Sequence, residues 1–140
     1  MAGMSRLFVG LLVVVTVSAC TGGAGSGDSD PLGEGRSLYG AVCSVCHGSR
    51  GQGGVGPTLE DVVETWPDCA AQVEWISLGS EGWRAAHGDT FGAAGRPVEG
   101  GMPAHAGRMT DAEIRVVAVF ERVEFGGQQR EAALAACGVE

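Results

Sequence analysis

Cys43-Ser44-Val45-Cys46-His47 decides how the rest of the chain is read. Residues three apart on a helix lie on one face, about a turn apart, so this spacing sets two sulfurs side by side with an imidazole next in line. Three chemistries use cysteines at this spacing. A thioredoxin-like redox pair needs a βαβ setting, and the surrounding sequence does not offer one. A zinc site needs four ligands, and a second C-x-x-C or H-x-H group is missing. The remaining chemistry is the C-x-x-C-H attachment of a c-type haem, with thioethers at the two vinyl groups and the histidine as proximal iron ligand.

Working outward, three further cysteines need places. Cys20 ends an N-terminal segment that begins with a short positive stretch, Met1 to Arg6, and continues through an uncharged run from Leu7 to Ala19. That run is too short to span a bilayer comfortably and has the length of a signal peptide's apolar core. Val17-Ser18-Ala19-Cys20 resembles a bacterial lipoprotein signal, which implies lipidation of Cys20 as the mature N-terminus; the alternative is ordinary cleavage near Ala19 with a spare thiol. Residues 1–19 are thus expected to be a signal peptide. Residues 20–33, rich in glycine, serine and aspartate, are expected to be a flexible tether, and residues 34–140 the folded domain. Cys69 and Cys137 remain, and in an exported chain the expected outcome is a disulfide, against a pair of unrelated buried thiols.

Composition narrows the function classes. The chain has 140 residues, one domain's length, and its 25 glycines follow no G-X-Y period, which excludes collagen. Lysine is absent; nine arginines against 17 carboxylates leave a net charge of -8, which argues against a nucleic-acid or anionic-membrane binder.

From Gly35 onward the sequence resembles a class I cytochrome c domain over nearly all of residues 34 to 125. Gly35, Tyr39, Cys43, Cys46 and His47 match the family's N-terminal helix, and Gly48 to Leu59 matches the glycine-rich loop after the haem histidine. The resemblance implies an all-α fold of few helices wrapped around one covalently bound haem c. It implies that the Pro57 carbonyl accepts a hydrogen bond from His47, and that Met102, in Gly100-Gly101-Met102-Pro103-Ala104, is the second iron ligand. Met109, His105 and His87 are the competing ligands. Met109 reads as a packing residue at the start of the last helix, His105 as a ligand that swaps in under alkaline or mutant conditions, and His87 as a solvated loop histidine.

Two helices are legible from pattern. Thr110-Asp111-Ala112-Glu113 is a capping box, and Val116, Val119, Phe120 and Val123 then follow the spacing of one buried helical face. Ile114, Ala118 and Phe125 form a second apolar row, over which the tail Gln128 to Gly138 is expected to fold. Asp68 to Leu78 reads as a middle helix with Cys69, Val73 and Ile76 on one side. Gly79 to Gly101 has no periodicity and is expected to be a long loop that covers the haem edge and delivers Met102. Within it, Trp83 and Arg96 are candidate donors to the haem propionates, against plain roles as core and surface residues.

With both axial positions filled, the resemblance implies one-electron transfer and no enzyme. The expected setting is extracytoplasmic and anchored to a bacterial membrane by lipid. The expected partners are membrane electron-transfer complexes (a quinol-oxidising complex, a terminal oxidase or a dehydrogenase) with a basic docking patch, and no nucleic acid. Two alternatives stay open. One is a five-coordinate haem that binds small gases or peroxide; the other is a fixed haem subunit of a dehydrogenase or oxidase.

Overall fold

A computed structural model of the chain describes residues 30–140. The expected signal peptide, Cys20 and most of the expected tether lie outside the described residues. Among those described, no helix is long and apolar enough to cross a membrane.

The first helical segment begins earlier than the composition suggests. Helix α1 spans Pro31–Leu38, with a proline at its start, where a missing N–H costs nothing. Leu32 packs against the core, and Asp30 pairs with Arg130 at the start of the last helix. The expected tether over 20–33 is therefore shortened, because residues 30–33 already contribute fixed contacts. The backbone continues from α1 through a π-helical stretch, Tyr39–Cys43, into α2, Ser44–His47. The segment ends on Gly48 at φ 78°, a conformation that glycine adopts without strain.

Helix α3 is a single turn, Val62–Thr65, and α4 spans Cys69–His87. Asp68 caps α4 by accepting a hydrogen bond from the Ala70 N–H. The middle helix expected to end at Leu78 thus runs on for another nine residues, with a break at Gly79. Nine of the expected loop's 23 residues are helical for that reason. The remainder contains a small antiparallel ladder, β1 Thr90–Phe91 against β2 Arg96–Pro97. Helix α5, Asp111–Glu124, starts with the expected capping box: the Glu113 N–H donates to Thr110 Oγ1 at 3.2 Å, and the Thr110 N–H donates to Glu113 Oε2 at 2.7 Å. Helix α6, Arg130–Cys137, follows.

α1 and α5 cross at Gly35. A Cβ there would lie 2.1 Å from the Val116 carbonyl oxygen and 2.8 Å from Phe120 Cβ, so only glycine permits the contact. Tyr39 closes the crossing against Phe120 and Phe125, with ring centroids 5.4 and 5.0 Å away, and its hydroxyl donates to the Gly48 carbonyl at 2.6 Å. The second apolar row of α5 divides here. Ile114 and Ala118 are covered by Ala133 and Cys137 of α6, as expected. Phe125 is not; it packs toward Tyr39 and against Gly51 instead.

Cys69 and Cys137 form a disulfide that ties α6 to the start of α4 across 68 residues of sequence. A loop of that length corresponds to about 4 kcal/mol of lost unfolded-state entropy in the chain-entropy account. A second apolar cluster gathers Val62, Trp66, Trp83 and Val98, with Trp75 and Phe91 packed on it. These elements enclose one side of a cavity of about 420 Å³, whose walls come from the first helical segment, the glycine-rich loop, α4, α5 and the segment around Met102.

Candidate haem-binding site

The proximal side is built by the end of the first helical segment and the loop after it. Cys43, Cys46 and His47 all border the cavity. The two cysteines are the free ones among the described residues. Burial, with further effect from Glu121 and Cys46, pushes the Cys43 thiol up to about 12. That shift is opposite to the lowered thiol of a reactive redox pair. Among the described residues, no three His, Cys, Asp or Glu side chains are grouped to hold a metal ion, which leaves a zinc site without ligands.

His47 is oriented by the loop. Its Nδ1 lies 2.9 Å from the Pro57 carbonyl oxygen, which can only accept, so Nδ1 carries the proton and Nε2 keeps its lone pair for a ligand. Glycine makes the approach possible: a Cβ at Gly56 would stand 2.9 Å from His47 Cε1. Backbone bonds fix the loop's course, with the Gly53 N–H donating to the His47 carbonyl and the Gly56 N–H to the Cys46 carbonyl.

Met102 borders the same cavity, and the break in α4 positions it. Gly79 takes φ 64°, and a Cβ there would lie 2.5 Å from the Ala104 N and 2.6 Å from the Met102 carbonyl oxygen. The interrupted helix leaves backbone groups without helical partners, and the methionine segment takes them up. The Ser80 N–H donates to the Met102 carbonyl at 2.9 Å, and the Met102 N–H donates to Ser80 Oγ at 3.0 Å. The His105 N–H donates to the Ile76 and Ser77 carbonyls at 3.2 Å each, and the Ala106 N–H also donates to Ser77. This strap is the part of the site that carries no local sequence signal, because Gly79 reads as the start of a loop.

The candidate propionate donors separate. Arg96 borders the cavity and pairs with Asp61, also on the wall. Trp83 does not face it: its indole N–H donates to the Thr90 carbonyl at 2.9 Å, and its ring packs edge-on against Trp66 and Trp75. Trp66 and Trp75 border the cavity in its place. Of the competing ligands, Met109 is buried in the core. His87 ends α4, not a loop, and its Nε2 lies 3.0 Å from Glu74 Oε1. His105 is buried on the cavity wall, where burial holds its imidazole below the usual histidine value.

A buried polar group without a partner marks a place where a bound molecule supplies one. Among the described residues, the buried side-chain atoms in that state are Thr65 Oγ1 and His105 Nδ1. Both residues border this cavity. Two thiols, an imidazole with a free lone pair, a thioether and two orphaned polar atoms around one largely apolar space fit a covalently held haem.

The fold and this set of residues define a mono-haem c-type cytochrome domain. The cytochrome c family model matches residues 32–120, and the chain belongs to that family. Its members carry a covalently attached haem c and act as electron carriers, and this domain holds one such haem. Among solved structures, the chain is similar to cytochrome cL from the marine methylotrophic bacterium Methylophaga aminisulfidivorans MPT, at 24% identity and a TM-score of 0.49. The match covers 71% of this chain and 58% of that one, so the chain spans well under two thirds of the other protein's length. No curated protein matches the chain.

Proposed function

We propose that this protein is a six-coordinate, one-electron carrier on the extracytoplasmic side of a bacterial membrane. In this reading Cys43 and Cys46 would hold the haem as thioethers, and His47 and Met102 would be the residues that ligate its iron. The bound haem supplies the reversible ferric/ferrous couple; the protein supplies orientation, dryness and docking. His47, with Nδ1 committed to Pro57, presents Nε2 without rotating. Met102 presents a thioether, which favours the ferrous state and raises the potential.

The observation that carries the reading is the strap between Met102 and Ser80, which holds both backbone polar groups of the methionine against the α4 break. A segment fixed this way does not drift from its ligand position, and that favours closed coordination over gas or peroxide binding. Lipidation at Cys20 would keep the carrier near its membrane partners at high effective concentration. The net charge of -8 suits partners with a basic docking patch, such as a quinol-oxidising complex, a terminal oxidase or a dehydrogenase.

An optically monitored potentiometric titration tests the ligand assignment. The holoprotein is expected to follow a single one-electron curve, and Met102→Ala and Met102→His are expected to lower its midpoint. An unchanged midpoint in both variants would remove Met102 from the iron.

A further inference from the structure

Helix α5 places a carboxyl group on the wall of the haem cavity. Glu121 is only 6% exposed and borders the cavity. Its Oε2 accepts a hydrogen bond from Gln72 Nε2 at 2.9 Å, and this neutral amide is its side-chain partner. The adjacent Arg122 turns away. Its guanidinium donates to the Trp66 carbonyl at 2.7 Å, to Gln72 Oε1 at 3.0 Å and to the Pro67 carbonyl at 3.3 Å, while its Nε donates to Gln128 Oε1. From the first helical segment, Tyr39 and Cys43 face Glu121; the phenol is engaged by the Gly48 carbonyl, and the thiol becomes a thioether on haem attachment. From α4 the facing group is Gln72. The remaining ionisable groups on the cavity are His47, His105, Glu99, Arg108 and the Arg96–Asp61 pair.

Glu121 is therefore a buried carboxyl group on the cavity wall with a neutral amide, and no cation, against it. Burial, partly offset by the Gln72 amide, pushes it up to about 7, so it changes charge within the ordinary working range. An electron added to the haem makes the cavity more negative by one unit, and in a low-dielectric space that change raises the proton affinity of a nearby carboxylate. Gln72 already bonds Glu121 and offers only a neutral amide, and Arg122 cannot move closer because its guanidinium is tied to Trp66, Gln72 and Pro67.

We propose that Glu121 is a redox-linked proton site, which makes this cytochrome a carrier of one electron together with a proton. The inference rests on the haem-carrier reading. On reduction one electron comes from the donor protein, and one proton comes from water onto a carboxylate oxygen of Glu121. On reoxidation both leave, to the acceptor and to water, and no bond at the iron is made or broken. The sign follows from linkage. Because the reduced state binds the proton more tightly, raising the pH disfavours reduction and the midpoint potential falls.

The test uses haem-loaded protein from about pH 5 to about 9, a range that brackets the titration of a raised carboxyl. The midpoint is expected to fall with pH around neutrality. Its limiting slope is one proton per electron, a tenfold change in the reduction equilibrium per pH unit, or ~59 mV. Reduced-minus-oxidised infrared spectra at neutral pH are expected to gain the C=O band of a protonated carboxyl, shifted in heavy water. Glu121→Gln should flatten the slope and abolish the band. Gln72→Leu, which removes the donor that favours the carboxylate, should move the step to higher pH, and it serves if the glutamine variant fails to load haem. A wild-type midpoint independent of pH overturns the inference. So does a slope and band that survive in Glu121→Gln, which would assign the proton to a propionate or to His105, or a step that stays put in Gln72→Leu. If the iron does not cycle by one electron at all, the carrier reading itself has failed.

Discussion

Gly35 shows how a single missing Cβ sets the geometry of the site. The backbone of α1 rests on the Val116 carbonyl, and this contact aims the first helical segment so that Cys43, Cys46 and His47 end at the cavity. Gly35→Ala inserts a methyl group 2.1 Å from that oxygen, a backbone atom that cannot swing aside. The helices must then separate, at a cost of about 1–3 kcal/mol or somewhat more. Denaturant unfolding of the holoprotein should show a lower midpoint with an unchanged slope; equal midpoints would mean that the crossing is looser than described. Tyr39 sits one turn further on, and its bond to Gly48 links the crossing to the haem loop. At this scale much was legible from sequence. Cys43, Cys46, His47 and Pro57 act through neighbours within a dozen residues, and Gly35 and Tyr39 stand at fixed steps before the first cysteine.

At the scale of elements, legibility depended on whether the signal was local. The capping box of α5 is visible because Thr110 and Glu113 satisfy each other within one turn. The break in α4 is not visible, because Gly79 reads as a helix end until its neighbour in space is known. Glycine takes this positive φ without strain, and the Met102 segment takes up the backbone groups that the break frees. Of its two readings Trp83 takes the plain core role, for a related reason: all three tryptophans are large and apolar, and only tertiary packing decides which of them face the cavity. Glu121 carries a signal of position alone. It stands seven residues after Ile114 and three after Ala118, so it falls on the same buried row. The α4 break gives the prediction for this scale. Gly79→Ala adds both strain at a left-handed backbone position and a contact 2.5 Å from the Ala104 nitrogen. The methionine strap should loosen before the fold does, so carbon monoxide should bind the ferrous variant measurably faster than wild type, while the Cys69–Cys137 disulfide keeps α6 in place. Equal binding rates would show that the strap does not hold the ligand.

For the whole molecule, two clusters of packing divide the labour. The α1, α4, α5 and α6 cluster, with its disulfide, gives a rigid back; the tryptophan cluster and the Met102 segment close over the cavity. The two proposed ligands, His47 and Met102, stand 55 residues apart in sequence, so the site needs long-range folding to come together. Such an arrangement suits a carrier whose coordination does not change between its redox states, because little then needs to reorganise when an electron arrives. That closed coordination by His47 and Met102 is the central claim. Absorption spectra of the haem-loaded protein, ferric and ferrous, with and without carbon monoxide, test it most directly. The account predicts the weak far-red band of a thioether-ligated ferric haem and a ferrous spectrum that carbon monoxide does not readily shift. A missing far-red band together with a rapid carbon monoxide shift would contradict it and point to an open iron that binds gases or peroxide.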